Sequence, residues 1–214
     1  MLKERGNYIE YDIGGDSKRL GERCDVLNQR DNKPTLFVFP YDWRLSNEVN
    51  AAKLRDYVGC VQKFYPGTKV NFIAHSMGGL VVRHHIINSI NDYNMDKVIT
   101  IATPWLGTPK TIYGMETGEL IIVANKSAVK EIGYYSKSVH ELLPSQAYFD
   151  LGGEPFAEAF ATDANGNDIE EEIYSYEQLY DWSNHRFPLS LPYDNSDYFH
   201  NTFGQDDWSG DNSG

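Results

Sequence analysis

Long apolar runs are missing from this 214-residue chain, and so is any surplus of basic residues. No stretch approaches the roughly 20 apolar residues of a membrane-spanning helix. The opening Met1-Leu2-Lys3-Glu4-Arg5-Gly6 lacks the apolar core of a secretory signal. Lys and Arg number 19 against 31 Asp and Glu, for a net charge of −12. Nucleic acid is therefore a poor candidate partner, because phosphate neutralisation needs clustered cations. Cysteine is scarce. Cys24 and Cys60 show no metal-type spacing, fit either free thiols or a pair, and leave the redox compartment open. Internal repeats are absent too. What is present is 41% hydrophobic and 14% aromatic content, enough for a sizeable core and contrary to disorder over most of the chain.

The most informative stretch is Val70-Asn71-Phe72-Ile73-Ala74-His75-Ser76-Met77-Gly78-Gly79-Leu80-Val81-Val82. A strand-like apolar run enters Ala74-His75-Ser76-Met77-Gly78, and a helix-like run leaves at once. This is the layout of a nucleophile elbow, G-x-S-x-G, with alanine in place of the first glycine. The turn demands small residues two before and two after the serine, where a larger side chain would meet the neighbouring strand or helix. Ala74 and Gly78 satisfy that demand. Such a turn lifts the Ser76 hydroxyl off the sheet and sets it at a helix N-terminus, where the Met77 N–H can point at a developing oxyanion. A Gly-rich strand–helix turn with an ordinary serine would leave the small residues on both sides of Ser76 without a reason.

Around the elbow the pattern alternates. Thr35–Phe39 reads as a buried strand ending at Pro40. Ser46 is a good N-cap for a helix carrying Leu54, Val58, Val61 and Tyr65, stopped by Pro66-Gly67. Val70–Ile73 is the next strand, Gly79–Ile90 a mostly apolar and hence buried helix, and Val98–Ala102 a further buried strand. Strand, helix, strand, helix, strand over residues 35–102 predicts a parallel sheet covered on both faces. Sites on such sheets lie at the carboxyl ends of the strands. Here these are Tyr41–Arg44, Ser76 and Thr103–Pro109. Before residue 35, Leu2–Arg5 reads as a helix end, Tyr8–Tyr11 as a short strand and Cys24–Asn32 as weakly helical.

Past Thr111 the composition changes. Residues 1–111 hold 15 Lys and Arg against 12 Asp and Glu, whereas residues 112–214 hold 4 against 19, together with 17 Phe, Tyr and Trp. Two regions are expected: 1–111, a partial α/β core with the elbow, and 112–214, an acidic, aromatic, loop-rich cap. Asp163-Ala164-Asn165-Gly166-Asn167-Asp168 reads as a hairpin turn through Asn-Gly. A calcium loop is disfavoured there, because its glycine is misplaced and Tyr174 stands where a bidentate Glu belongs.

Three stretches carry a family resemblance: Phe39-Pro40-Tyr41-Asp42-Trp43-Arg44-Leu45, Ala74-His75-Ser76-Met77-Gly78-Gly79 and Ala102-Thr103-Pro104-Trp105-Leu106-Gly107-Thr108-Pro109-Lys110. Together they resemble the α/β-hydrolases of the lecithin:cholesterol acyltransferase family, which includes phospholipid:diacylglycerol acyltransferases and lysosomal phospholipase-type enzymes. Leu142-Leu143-Pro144-Ser145 is weakly similar to the start of that family's cap. The resemblance implies an α/β-hydrolase fold with a cap or lid insertion, Ser76 as nucleophile and the Met77 N–H as an oxyanion donor. It further implies acyl transfer from a lipid ester through an acyl-serine, with no metal or cofactor and with lipid-surface contact. Arg44 is expected in a buried or half-buried ion pair that holds a strand end.

The departures from the family pattern are equally plain. No strand and Pro-Gly loop supplying the second oxyanion donor precede residue 35, with Gly14-Gly15 a poor stand-in. No strand-terminal Asp and His follow Lys110 in the order a triad requires. The chain is therefore expected to be an internal fragment, with the acid and base of the triad outside it. His75 is expected to pack beside the elbow, and His84 and His85 to form hydrogen bonds on the following helix. His140, His185 and His200, with Asp181 and Asp197 near the last two, are the residual base and acid candidates. Two alternatives to a lipid acyltransferase or phospholipase stand: a non-lipid serine esterase or thioesterase, and a non-catalytic binding module that retains the elbow. The aromatic region around Tyr134–Phe160 is the expected place for a lid over an acyl pocket.

Overall fold

A computed structural model describes residues 2–11, 33–89, 95–119, 126–151, 157–162, 168–173, 175 and 177–179. The chain divides into two compact units, Met1–Thr103 and Pro104–Gly214.

The first unit opens with α1 (Leu2–Gly6) and an extended segment in which Glu10 bridges Leu36 in parallel. Three backbone bonds fasten it, from Tyr11 N–H to Leu36 O at 2.8 Å and from Thr35 and Leu36 N–H to Ile9 O at 2.7 and 2.9 Å. Thr35–Phe39 is thus extended, but among the described residues it has no ladder beyond this one bridge. Helix α2 (Asn47–Phe64) starts where Ser46 was expected to cap it, the Ser46 hydroxyl accepting from Val49 N–H at 3.2 Å. It ends before Pro66-Gly67, with Gly67 at φ +77. Its apolar stripe of Ala51, Leu54 and Val58 packs with Phe72, Ala74, Val81 and Val82, and Phe39 and Tyr41 lean on the same cluster. A neighbouring cluster joins Tyr11, Tyr57, Cys60 and Val61. Cys60 is disulfide-bonded, while Cys24, the other cysteine of the chain, lies outside the described residues.

Strands β1 (Val70–His75) and β2 (Met95–Ile101) pair in parallel, Ile73 opposite Ile99 and His75 opposite Ile101. Between them runs α3 (Gly78–Asn88). Parallel strands joined through a helix form the βαβ unit that the alternation predicted. Burial departs from expectation, with Val98, the partner of Phe72, exposed and the opposite face more so. Phe72 and Ala74 are buried toward α2 and α3, but Ile73, Ile99 and Ile101 on the other face are each at least half exposed. Strand composition encodes only the capacity for burial.

The second unit is more helical than its loop-like composition suggests. It contains α4 (Pro109–Thr117), α5 (Lys126–Tyr135), α6 (Lys137–His140), α7 (Gln146–Asp150) and an antiparallel hairpin of β3 (Ala157–Thr162) and β4 (Asp168–Ile173). The pairing of Thr162 with Asp168 places the connection at residues 163–167, as the Asn-Gly signal predicted. Those residues lie outside the described set. Gly118, left-handed at φ 75, ends α4.

The strand-end segment Trp105–Thr108 docks on Leu142–Ser145 within this unit. Thr108 N–H donates to Leu142 O at 2.9 Å and Ser145 N–H to Leu106 O at 3.1 Å. Gly107 sits at φ +97, and a Cβ there would stand 2.5 Å from Pro144 Cα, so the approach admits only glycine. The two stretches that resemble the family in this half therefore lie against each other.

Candidate active site

Ser76 follows the last residue of β1 and precedes Met77, the N-cap of α3. Its backbone takes φ +53, a left-handed conformation that costs a non-glycine residue about 1–2 kcal/mol. Two bonds hold it there: Ser76 N–H donates to Ile101 O at 2.9 Å, and Ser76 O accepts from Gly79 N–H at 3.0 Å. The serine is pinned to the end of β2 on one side and to the first turn of α3 on the other. Strain at a single residue between strand and helix is what the elbow geometry requires.

Met77 is already helical at φ −55 and ψ −26, and its side chain makes no capping hydrogen bond. The Gly79 N–H is taken by Ser76 O and the Leu80 and Val81 N–H groups by Met77 O, and the helix dipole favours negative charge at this helix start.

Two neighbours flank this turn. A Cβ built on Gly78 would lie 3.8 Å from the Tyr41 hydroxyl and 3.9 Å from Ala74 Cβ. That is ordinary contact, so the crowding expected two residues after the serine is mild. The tight position is Gly79, where a Cβ would lie 2.6 Å from Thr103 Cγ2 and would also strike the Thr103 hydroxyl. Thr103 Oγ1 is buried without a hydrogen-bond partner among the described residues. Ala102, just before it, has φ +50, a second strained non-glycine residue at this end of the sheet. Motif spacing pointed to Gly78. The approach of the β2 end to α3 exists only in three dimensions.

Tyr41 is half-buried, stacked on Phe39 at 5.9 Å, and burial raises its phenol pKa. Asp42 and Arg44 form a bidentate pair, Nε to Oδ1 at 2.8 Å and Nη2 to Oδ2 at 2.7 Å, and Asp42 also accepts from Arg44 N–H. The hydrogen bonds from Arg44 hold the Asp42 carboxyl down at about 2. The ion pair exists, but in an exposed tight turn and not buried as the sequence suggested. Partners only two residues apart need no core to bring them together. Asn50, fully buried, fastens the same turn by donating to Asp42 O at 2.9 Å and Leu45 O at 3.3 Å.

The histidines divide. His75 is exposed on the open face of the sheet, not packed, because its alternation places it opposite the buried Ala74 face. His85 is buried with its ring 5.6 Å from Phe72. His84 is half-buried, and its pKa is lowered first by burial and then by Arg83, against a weaker opposing pull from Glu48. His140, in the second unit, places Nε2 2.9 Å from Tyr134 O, and burial lowers its pKa. Asp181, His185, Asp197, His200 and Gly14-Gly15 lie outside the described residues. Among the described residues no side chain hydrogen-bonds to the Ser76 hydroxyl.

Comparison with known proteins agrees with the motifs. A family profile described as Lecithin:cholesterol acyltransferase matches residues 19–206. The phospholipase A(1) LCAT3 of Arabidopsis thaliana is 39% identical over 83 residues, covering 36% of this chain and 18% of that protein. The match thus spans less than a fifth of the relative's length. With most of its length inside the profile, the chain belongs to the lecithin:cholesterol acyltransferase family.

Proposed function

We propose that this chain carries the nucleophile of a serine-dependent O-acyltransferase or phospholipase acting on lipid esters. Family membership supports lipid acyl chemistry in general, and the relative's name supports a phospholipase in particular. The single observation that carries the reading is Ser76 at φ +53 between β1 and α3. Left-handed strain at a serine at a helix start is costly, and it is explained by a hydroxyl that must reach a substrate.

In this reading the Ser76 Oγ attacks the ester carbonyl carbon, and the carbonyl π pair moves onto oxygen beside the Met77 N–H. Collapse re-forms the carbonyl and breaks the bond to the leaving alcohol oxygen, which takes the proton given up by Ser76. Water or a second alcohol then attacks the acyl-serine, returning a proton to Ser76 Oγ as the product departs. The acid and base that relay these protons are proposed to come from outside the described residues. Neither metal nor cofactor enters the scheme.

The runner-up within catalysis is a non-lipid esterase or thioesterase. A binding module without turnover is favoured by one observation, that no described side chain reaches the Ser76 hydroxyl. Incubation with phosphatidylcholine vesicles, alone and with an added long-chain alcohol, separates these readings. Release of fatty acid or formation of a new ester by the wild type but not by Ser76→Ala supports the proposal. Cleavage of water-soluble esters only selects the esterase reading. Vesicle binding without turnover selects the module.

A further inference from the structure

Both backbone groups of Ser76 are held from the end of β2. The Ser76 N–H donates to Ile101 O at 2.9 Å, and the Ser76 carbonyl accepts from Gly79 N–H at 3.0 Å. Ile101 is the last residue of β2. Two residues on, the Thr103 side chain stands against that same Gly79. A Cβ built on Gly79 would lie 2.6 Å from Thr103 Cγ2 and 2.8 Å from Thr103 Cβ. Between the two contacts sits Ala102 at φ +50. A left-handed alanine is costly and persists only where its surroundings fix it. The strained residues Ser76 and Ala102 are thus joined through one tripeptide, Ile101–Thr103.

We propose that Ile101–Thr103 clamps the Ser76 peptide, and that Thr103 is the positioning residue of the nucleophile, acting through Gly79. The proposal rests on the reading of Ser76 as an acylated nucleophile, and deepens it by naming what holds that serine in place. The Gly79 N–H can hold Ser76 O only while the first turn of α3 keeps its distance from the end of β2. Glycine at 79 lets the helix approach until it meets Thr103, and a β-branched side chain with restricted rotation is a stop of fixed size. Without that stop the helix start settles toward β2 and carries the Gly79 N–H with it. The left-handed Ser76 is then fixed from the strand side alone. A small misplacement of a reacting group is enough to slow its chemistry.

The shape of Thr103 carries this role, and its hydroxyl does not. Among the described residues Thr103 Oγ1 is buried without a hydrogen-bond partner, so valine keeps the contact and removes an unpaired polar group.

Wild type, Thr103→Val, Thr103→Ala and Ser76→Ala are compared in two measurements. The first is amide hydrogen exchange, read by NMR on the folded chain with no ligand added. Thr103→Ala is expected to speed exchange at Gly79 by about 10-fold while Val58, within α2, keeps its rate. Thr103→Val is expected to match wild type at both. The second is the rate of covalent labelling by a fluorophosphonate, in which the Ser76 O–P bond forms, fluoride leaves and the hydroxyl proton passes to solvent. Ser76→Ala is expected to abolish labelling, and Thr103→Ala to slow bond formation by about 10-fold with probe binding unchanged. Thr103→Val is expected to label at the wild-type rate. Exchange that quickens equally at Gly79 and Val58 is a general loss of packing and overturns the positioning role. So does Thr103→Ala with wild-type exchange at Gly79 or wild-type labelling. Labelling absent from wild type, or undiminished in Ser76→Ala, overturns the reading of Ser76 itself, while exchange at Gly79 still decides whether the clamp exists. If Thr103→Ala does not fold, Thr103→Ser removes only the Cγ2 methyl, and the same directions are expected.

Discussion

Replacing Gly79 by alanine is ordinarily a favourable change inside a helix, worth about 0.5–1 kcal/mol. Here the new Cβ meets the Thr103 side chain, with Cβ at 2.8 Å, Cγ2 at 2.6 Å and the hydroxyl closer still. Thr103 is β-branched, and its hydroxyl is buried, so it has little freedom to rotate away. Overpacking of this kind costs about 1–3 kcal/mol. The clash outweighs the propensity gain, and Gly79→Ala is expected to destabilise by about 1–2 kcal/mol. For a chain of this size each kcal/mol corresponds to about 2–4 °C in melting temperature. Thermal denaturation followed by circular dichroism reads that shift. In a Thr103→Gly background all three clashing atoms are gone, and the same substitution is expected to be close to neutral, a coupling of about 1–2 kcal/mol. Gly79→Ala that raises the melting temperature, equally in both backgrounds, would refute the close approach of the β2 end to α3.

Three further outcomes are expected. Ser76→Gly should melt above Ser76→Ala by about 1 kcal/mol in urea titration, because only glycine occupies φ +53 without strain; equal midpoints would remove the strain. The folded pKa of Asp42, near 2, lies below its ordinary 3.8, so the unfolded chain binds more protons between those values. The contribution is complete above pH 3.8 and is lost as pH falls toward 2. Asp42→Asn should therefore flatten the stability profile in that window, and an unchanged slope would deny the Arg44 pairing. His84 titrates below its ordinary 6.5, so stability is present above that pH and is lost on acidification through the lower folded value. His84→Gln should diminish this loss, and an NMR titration midpoint above 6.5 would contradict it.

Much of the first unit was legible in the sequence because its signals are local. Ser46 caps α2 by reaching three residues along its own chain, Pro66-Gly67 stops it, and the run from Val70 to Gly79 spells strand, turn and helix. The Asn-Gly signal likewise placed the β3–β4 connection. What the sequence did not reveal depends on approach between distant segments. Gly79 is as small as Gly78, and nothing nearby says that Thr103 presses on the one and not the other. Apolar content made β2 look buried, yet Ile99 and Ile101 are exposed, since burial belongs to neighbours and not to a strand. Arg44 is expected in a buried or half-buried ion pair, but its partner is two residues away in an exposed turn. His75 read as a packing residue, although strand alternation turns it to the open face opposite Ala74. The approach of the Tyr41 hydroxyl to Gly78 likewise joins segments far apart in the chain.

The decisive experiment is to trap the acyl-enzyme. The chain is mixed with a short-chain phospholipid or a 4-nitrophenyl ester, quenched in acid within the first turnover, and digested for peptide mass spectrometry. An acyl group esterified to Ser76, and absent from Ser76→Ala, is the result expected of a strained serine at the start of α3. An unmodified Ser76 peptide from folded protein that has turned over its ester, or an acyl group on a different residue, would contradict it.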